Sequence, residues 1–184
     1  MPTFRGFIAI DIDAFPILLK YEKDILNSGV NVKVVEPENV HITLKFLGET
    51  KLEDVGKIEE IIKKAVENIE PFKIQLKGTG VFPNENYIKI IWIGIQNGEK
   101  IGIIVNKIDN DLSKLGYKKE NRSFSPHLTI GRLKSAKNKN ELLKIIENYK
   151  NTEFAEVKVD KVKLIKSELT PKGPIYTTIL EIPI

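Results

Sequence analysis

The chain contains two histidines, and both open the same short pattern: His41-Ile42-Thr43-Leu44 and His127-Leu128-Thr129-Ile130. Imidazole titrates near pH 6.5, so of two such rings one can give a proton while the other takes one. A threonine hydroxyl can donate a hydrogen bond to a non-bridging phosphate oxygen. In a strand, residues i and i+2 share a face. Each tetrapeptide therefore offers an imidazole and a hydroxyl on one side and anchors itself in a core by the other. Two such strands facing across a cleft would assemble a kit for metal-free phosphodiester chemistry. A lone strand histidine is ordinarily a packed or surface residue; the repetition of the pattern is what points to chemistry. Strict alternation over 40–46 places His41, Thr43 and Lys45 on one face, with Val40, Ile42, Leu44 and Phe46 on the other.

The chain has three arginines, Arg5, Arg122 and Arg132. Arg132, just behind the second pattern, can add a charge-assisted bond to phosphate. Strict alternation points it away from His127 unless Gly131 introduces a bulge that re-aims it. Arg5 opens the first strand and either faces the cleft or caps the sheet edge. Tyr176 either reaches the site or is an ordinary strand residue. Phe82 and Trp92 have the alternatives of core packing and base stacking. Lys118, Lys119 and Arg122 form a basic loop that is either solvated or in contact with an RNA backbone. Asp11 and Asp13 lack the histidine partners of a two-metal site, so neither a metal nor a cofactor is expected.

Composition sets the outer bounds. The 184 residues contain no cysteine, which excludes disulfides, thiolate metal sites and cysteine nucleophiles. The formal charge of +4, with a pI of about 9.0, suits a polyanionic partner without requiring one. The apolar stretch in "MPTFRGFIAIDID" is too short for a membrane span and runs straight into acids. The expectation is a cytoplasmic, monomeric protein away from membranes. Usage rich in Lys, Glu and Ile resembles that of a thermophile.

The surrounding elements must present the two patterns. Apolar spacing predicts strands at 4–12, 32–36, 40–48, 72–81, 87–95, 127–133, 154–168 and 175–183. It predicts helices at 13–28, with Asp13 as N-cap, and at 51–69, 99–116 and 138–150. Each half of the chain then reads as pattern strand, amphipathic helix and strand pair. The fold expected is α+β: residues 1–184 as one bilobal domain, two pseudo-symmetric lobes of antiparallel sheet with outer helices and a central cleft.

"HITLKFLGE" and "SPHLTIGRLK" resemble the two signature motifs of the two-histidine phosphoesterase superfamily, and within it those of the RNA 2′,3′-cyclic phosphodiesterases, or 2′–5′ RNA ligases. "FRGFIAIDI", "GTGVFPN" and "KSELTPKGPIYTTI" extend the likeness over essentially the whole chain. The resemblance implies a bilobal fold with both motifs in a central cleft. It implies hydrolysis of a 2′,3′-cyclic phosphate on RNA to a 2′-phosphate, and a reversible, nucleotide-independent joining of tRNA halves through a 2′–5′ bond. It makes His41 and His127 catalytic, with His41 the proton donor and His127 the acceptor, a choice the residues themselves leave open. Thr43 and Thr129 would bind phosphate, and Arg132 matches a basic position behind the second motif. The competing readings are a module that binds nucleotides or RNA ends without cleaving them, and a phosphodiesterase for small cyclic nucleotides.

Overall fold

A computed structural model describes residues 1–184, in which nine strands and four α-helices follow the chain. The strands are β1 (Thr3–Asp11), β2 (Val32–Val34), β3 (His41–Lys51), β4 (Phe72–Asn84), β5 (Tyr87–Gln96), β6 (His127–Leu133), β7 (Glu153–Val159), β8 (Lys161–Thr170) and β9 (Gly173–Pro183). The helices are α1 (Pro16–Asn27), α2 (Val55–Val66), α3 (Glu99–Lys114) and α4 (Lys139–Tyr149). No helix is long and apolar enough to cross a membrane.

The strands form two sheets with orders β3-β1-β8-β9 and β2-β6-β5-β4-β7, and every pairing is antiparallel. Helices α2 and α3 pack together behind the first sheet, and α1 and α4 lie behind the second. Alternation in the strands sends Ile8, Ile10, Ile42, Ile91, Ile93, Leu128 and Ile130 toward the helices. There they join Leu18, Ile58, Ile62, Ile104, Ile108, Leu142 and Ile146 in one contiguous apolar cluster. Each such side chain, fully buried, contributes about 1.5–3 kcal/mol.

The α+β architecture is as expected, but the lobes are not the two halves of the sequence. After β1 the chain crosses to the second sheet for β2, returns for β3, and crosses again for the β4–β5 hairpin. It lays β6 and β7 in the second sheet and ends in the first with β8–β9. Each half thus places its histidine strand in one sheet and a hairpin in the other. The single strand expected at 154–168 breaks at Asp160, and its two parts belong to different sheets.

Local boundaries shift for identifiable reasons. Helix α1 begins at Pro16, whose fixed φ suits the first turn, so Asp13 is not its N-cap. Strand β3 does not end at Gly48; that residue takes φ +68° and the strand runs on to Lys51. A short turn, Leu52–Asp54, then delays α2 to Val55.

Candidate active site

Strands β3 and β6 approach one another where the two sheets meet, and each carries its histidine and threonine on the face turned away from the core. Both strands carry the same irregularity. In β3, Thr43 pairs with Ala9 and Lys45 with Ile8, so Leu44 is the extra residue of a bulge. In β6, Thr129 pairs with Trp92 and Gly131 with Ile91, so Ile130 is extra. Each bulge puts two successive residues into the core and reverses the phase of the strand beyond it.

The reversal explains one success and one correction. Arg132 stands on the same face as His127 and Thr129, as a bulge requires, although the extra residue is Ile130 and not Gly131. Lys45, expected beside His41, turns inward and is 4% exposed. Phe46, expected in the core, stands on the cleft face and is 61% exposed. Strict period-2 reading cannot see this, because one inserted residue inverts every later assignment.

The two imidazoles are held alike. His41 Nδ1 donates to the carbonyl of Asn39 at 2.7 Å, and His127 Nδ1 donates to the carbonyl of Ser125 at 2.9 Å. A carbonyl only accepts, so both rings carry their proton on Nδ1 when neutral and offer Nε2 as the basic atom. His41 Nε2 lies 2.8 Å from Thr43 Oγ1, while His127 Nε2 makes no hydrogen bond within the chain.

Their surroundings differ. Around His41 the rings of Phe7 and Tyr176 sit with centroids 5.0 and 5.5 Å away, and Phe7 also contacts Tyr176 and Phe46. Phe7, Ala9 and Ile165 form a small apolar patch on the cleft face of the first sheet, with Tyr176 against it. Burial lowers the His41 pKa below the usual histidine value. The Asn39 carbonyl and the Asp11 carboxylate oppose that shift, and the Arg132 guanidinium adds to it. His127 is more open, with the ring of Phe82 edge-on at 5.1 Å and Trp92 tilted against Phe82 at 5.3 Å. Gly80 allows this: a Cβ there would sit 2.4 Å from the Trp92 indole.

The remaining expected residues divide. Tyr176 stands against His41, ring centroids 5.5 Å apart; burial raises its hydroxyl pKa, and the Arg132 and Arg5 charges oppose that shift. Arg5 lies on the cleft face of β1, in phase with Phe7 and Ala9. Phe82 and Trp92 are half-buried beside His127 rather than deep in the core. Lys118, Lys119 and Arg122 are exposed on the loop that leads into β6 and His127. A cavity of about 180 Å³ opens beside His41, lined by Asp11, Glu38, Asn39, Tyr176 and Thr178. No three metal-ligating side chains converge anywhere in the chain. Sequence reasoning missed Phe7 and Phe46. Lys45 and Phe46 both fit strict alternation from His41, so the sequence carries no local signal of the break; only the pairing with β1 reveals it.

Two antiparallel sheets, each contributing a His-x-Thr strand where they meet, define a two-lobed α+β class of protein with one copy of the motif in each lobe. The model of the 2′-5′ RNA ligase superfamily matches residues 31–171, and the chain belongs to that family. An RNA 2′,3′-cyclic phosphodiesterase of Methanocaldococcus jannaschii is 47% identical over 96% of this chain and 99% of its own. One from Aquifex aeolicus is 40% identical over 98% and 97%. In fold the chain is similar to Escherichia coli LigT complexed with 3′-AMP, at a TM-score of 0.73 and 20% identity, over 100% of this chain and 99% of that one.

Proposed function

We propose that this protein hydrolyses the 2′,3′-cyclic phosphate end of an RNA to a 2′-phosphomonoester, using His41 and His127 as acid and base and residues 1–184 as one bilobal unit. The observation that carries the reading is the matched pair of imidazoles. Both are locked through Nδ1 to the carbonyl two residues upstream; Nε2 is unengaged on His127 and meets the Thr43 hydroxyl on His41.

The chemistry follows from that geometry. Water attacks phosphorus while the P–O3′ bond breaks, so the 3′ oxygen departs opposite the attacking oxygen and needs a proton as it leaves. His127 Nε2, unengaged, takes the proton from water. His41 Nε2, once protonated, gives one to O3′. Burial lowers its pKa, which favours giving the proton up, and the phosphate charge holds the proton on it while substrate is bound. Thr43 and Thr129 donate to the non-bridging oxygens, and Arg132 balances their charge. The exposed face of Phe46, backed by Phe7, offers a stacking surface for the terminal base. A 5′-hydroxyl in place of water would form a 2′–5′ bond by the same route, which accounts for reversible joining of RNA halves. Lys118, Lys119, Arg122 and Arg5 supply cations for flanking phosphates.

The test is incubation with an oligonucleotide ending in a 2′,3′-cyclic phosphate, beside cyclic mononucleotides, in EDTA. The chain itself supplies acid, base and phosphate donors, so 2′-phosphate product is expected without added metal. Binding with no product would mean a non-catalytic RNA-end module. Turnover of mononucleotides alone would mean a small-nucleotide phosphodiesterase.

A further inference from the structure

The bulge at Leu44 turns a lysine into the core of the first lobe, and the partners of that lysine lie on the approach to the second histidine. Lys45 Nζ donates to Asp109 Oδ1 of α3 at 2.5 Å and to the Lys118 carbonyl at 2.6 Å, with Glu120 Oε1 3.7 Å away. The Asp109 carboxylate, on a residue 8% exposed, accepts from the Glu120 amide through both oxygens at 3.3 Å. Residues 118 and 120 begin the irregular segment that runs without helix or strand to His127. The far end of that segment is the Ser125 carbonyl that orients the His127 ring.

We propose that Lys45 and Asp109 are positioning residues for His127: a buried ion pair, rooted in the strand that carries His41, clamps the start of the loop that aims the other imidazole. The inference rests on the phosphodiesterase reading of the site. Simple packing does not account for the pair. A buried ammonium is costly unless its protons find acceptors, and an apolar residue such as the neighbouring Leu44 would fill the space without that cost. Here two of the acceptors belong to the loop or hold it, and Tyr117 adds a third tie through its hydroxyl to Asp54 Oδ2 at 3.0 Å. Tyr117 and Phe124 pack against the core at either side, and between them the clamp is what ties the Lys118 and Glu120 backbone to α3 and β3. Displacing a catalytic group by about 1 Å can cost on the order of 100-fold in rate.

The experiment uses the double variant Lys45→Met/Asp109→Leu, which exchanges the pair for apolar groups of similar size and so keeps the core filled. Its melting temperature is expected within a few degrees of the parent. On a 2′,3′-cyclic mononucleotide, kcat should fall at least tenfold and KM less than threefold. With two histidines in the chain, the imidazole Cε1–H signals are readily assigned by NMR. That of His127 should broaden or split while that of His41 stays sharp. Parental kcat in the folded variant, or a lowered kcat with an unchanged His127 signal, overturns the proposal. A variant that does not fold leaves the decision to hydrogen exchange on the unaltered protein. There the Glu120 amide should exchange as slowly as the amides of α3, and exchange at a free-loop rate overturns the proposal. Should the unaltered protein turn over no cyclic phosphate, the phosphodiesterase reading fails, while the NMR and exchange results still decide the clamp.

Discussion

Strands β3 and β6 carry the same tetrapeptide pattern, the same bulge one residue after the threonine, and the same Nδ1 lock on the histidine. They differ in what the bulge delivers. In β3 it buries a lysine and exposes Phe46; in β6 it buries Gly131 and exposes Arg132. His41 sits against Phe7 and Tyr176 with its Nε2 beside Thr43, whereas His127 touches only the edge of Phe82 and keeps Nε2 free. One local design thus places an aromatic ring after the bulge on one strand and a guanidinium after it on the other. The lesson is that the motif fixes geometry while its neighbours assign roles. Burial, with the Arg132 guanidinium adding to it, lowers the His41 pKa.

The comparison breaks most sharply at the histidines. His41→Ala and His127→Ala should each lose about 10²–10⁴-fold in kcat on the cyclic phosphate. On an aryl phosphodiester whose leaving group departs without protonation, His41→Ala should recover most of its loss and His127→Ala should not. The reverse pattern would exchange the roles of the two strands.

Next come the residues after the bulges. Phe46→Ala removes a stacking surface worth about 1–3 kcal/mol per base, so KM for cyclic nucleotides should rise about tenfold while hydrolysis of an aryl phosphodiester lacking a base is spared. Arg132→Ala should weaken both substrates, because phosphate is common to them. Equal effects of the two variants on both substrates would erase the difference between the two strands.

The smallest expected effect is on the pH profile. As the acid, His41 must be protonated, and its pKa in the free protein is lowered. The alkaline limb of kcat/KM should therefore lie below about pH 6.5, the ordinary histidine value. The Asp11 carboxylate raises that pKa, so Asp11→Asn should move the limb to still lower pH. Asp11 also pairs with Lys163, whose freed charge would push the same way. A limb that moves upward would place the acid elsewhere.

The amino-acid sequence alone determined the candidate set, His41, Thr43, His127 and Thr129, and the type of nearly every element. Spacing is a local property: i and i+2 share a strand face, and apolar positions three and four apart make a helix. His41 with Thr43, His127 with Thr129, and the helices at α2, α3 and α4 were therefore legible, as were the turn-forming residues between β4 and β5. Tertiary structure decided which strand joins which sheet. Hydrogen-bond partners over a hundred residues apart, such as Ala9 with Lys163, leave no local periodicity to read. It also decided where the pairing slips. Leu44 and Ile130 look like any apolar strand residue, and only their partners on β1 and β5 make them extra. That slip sends Lys45 inward, Phe46 and Arg132 outward, and so selects which side chains surround the two histidines.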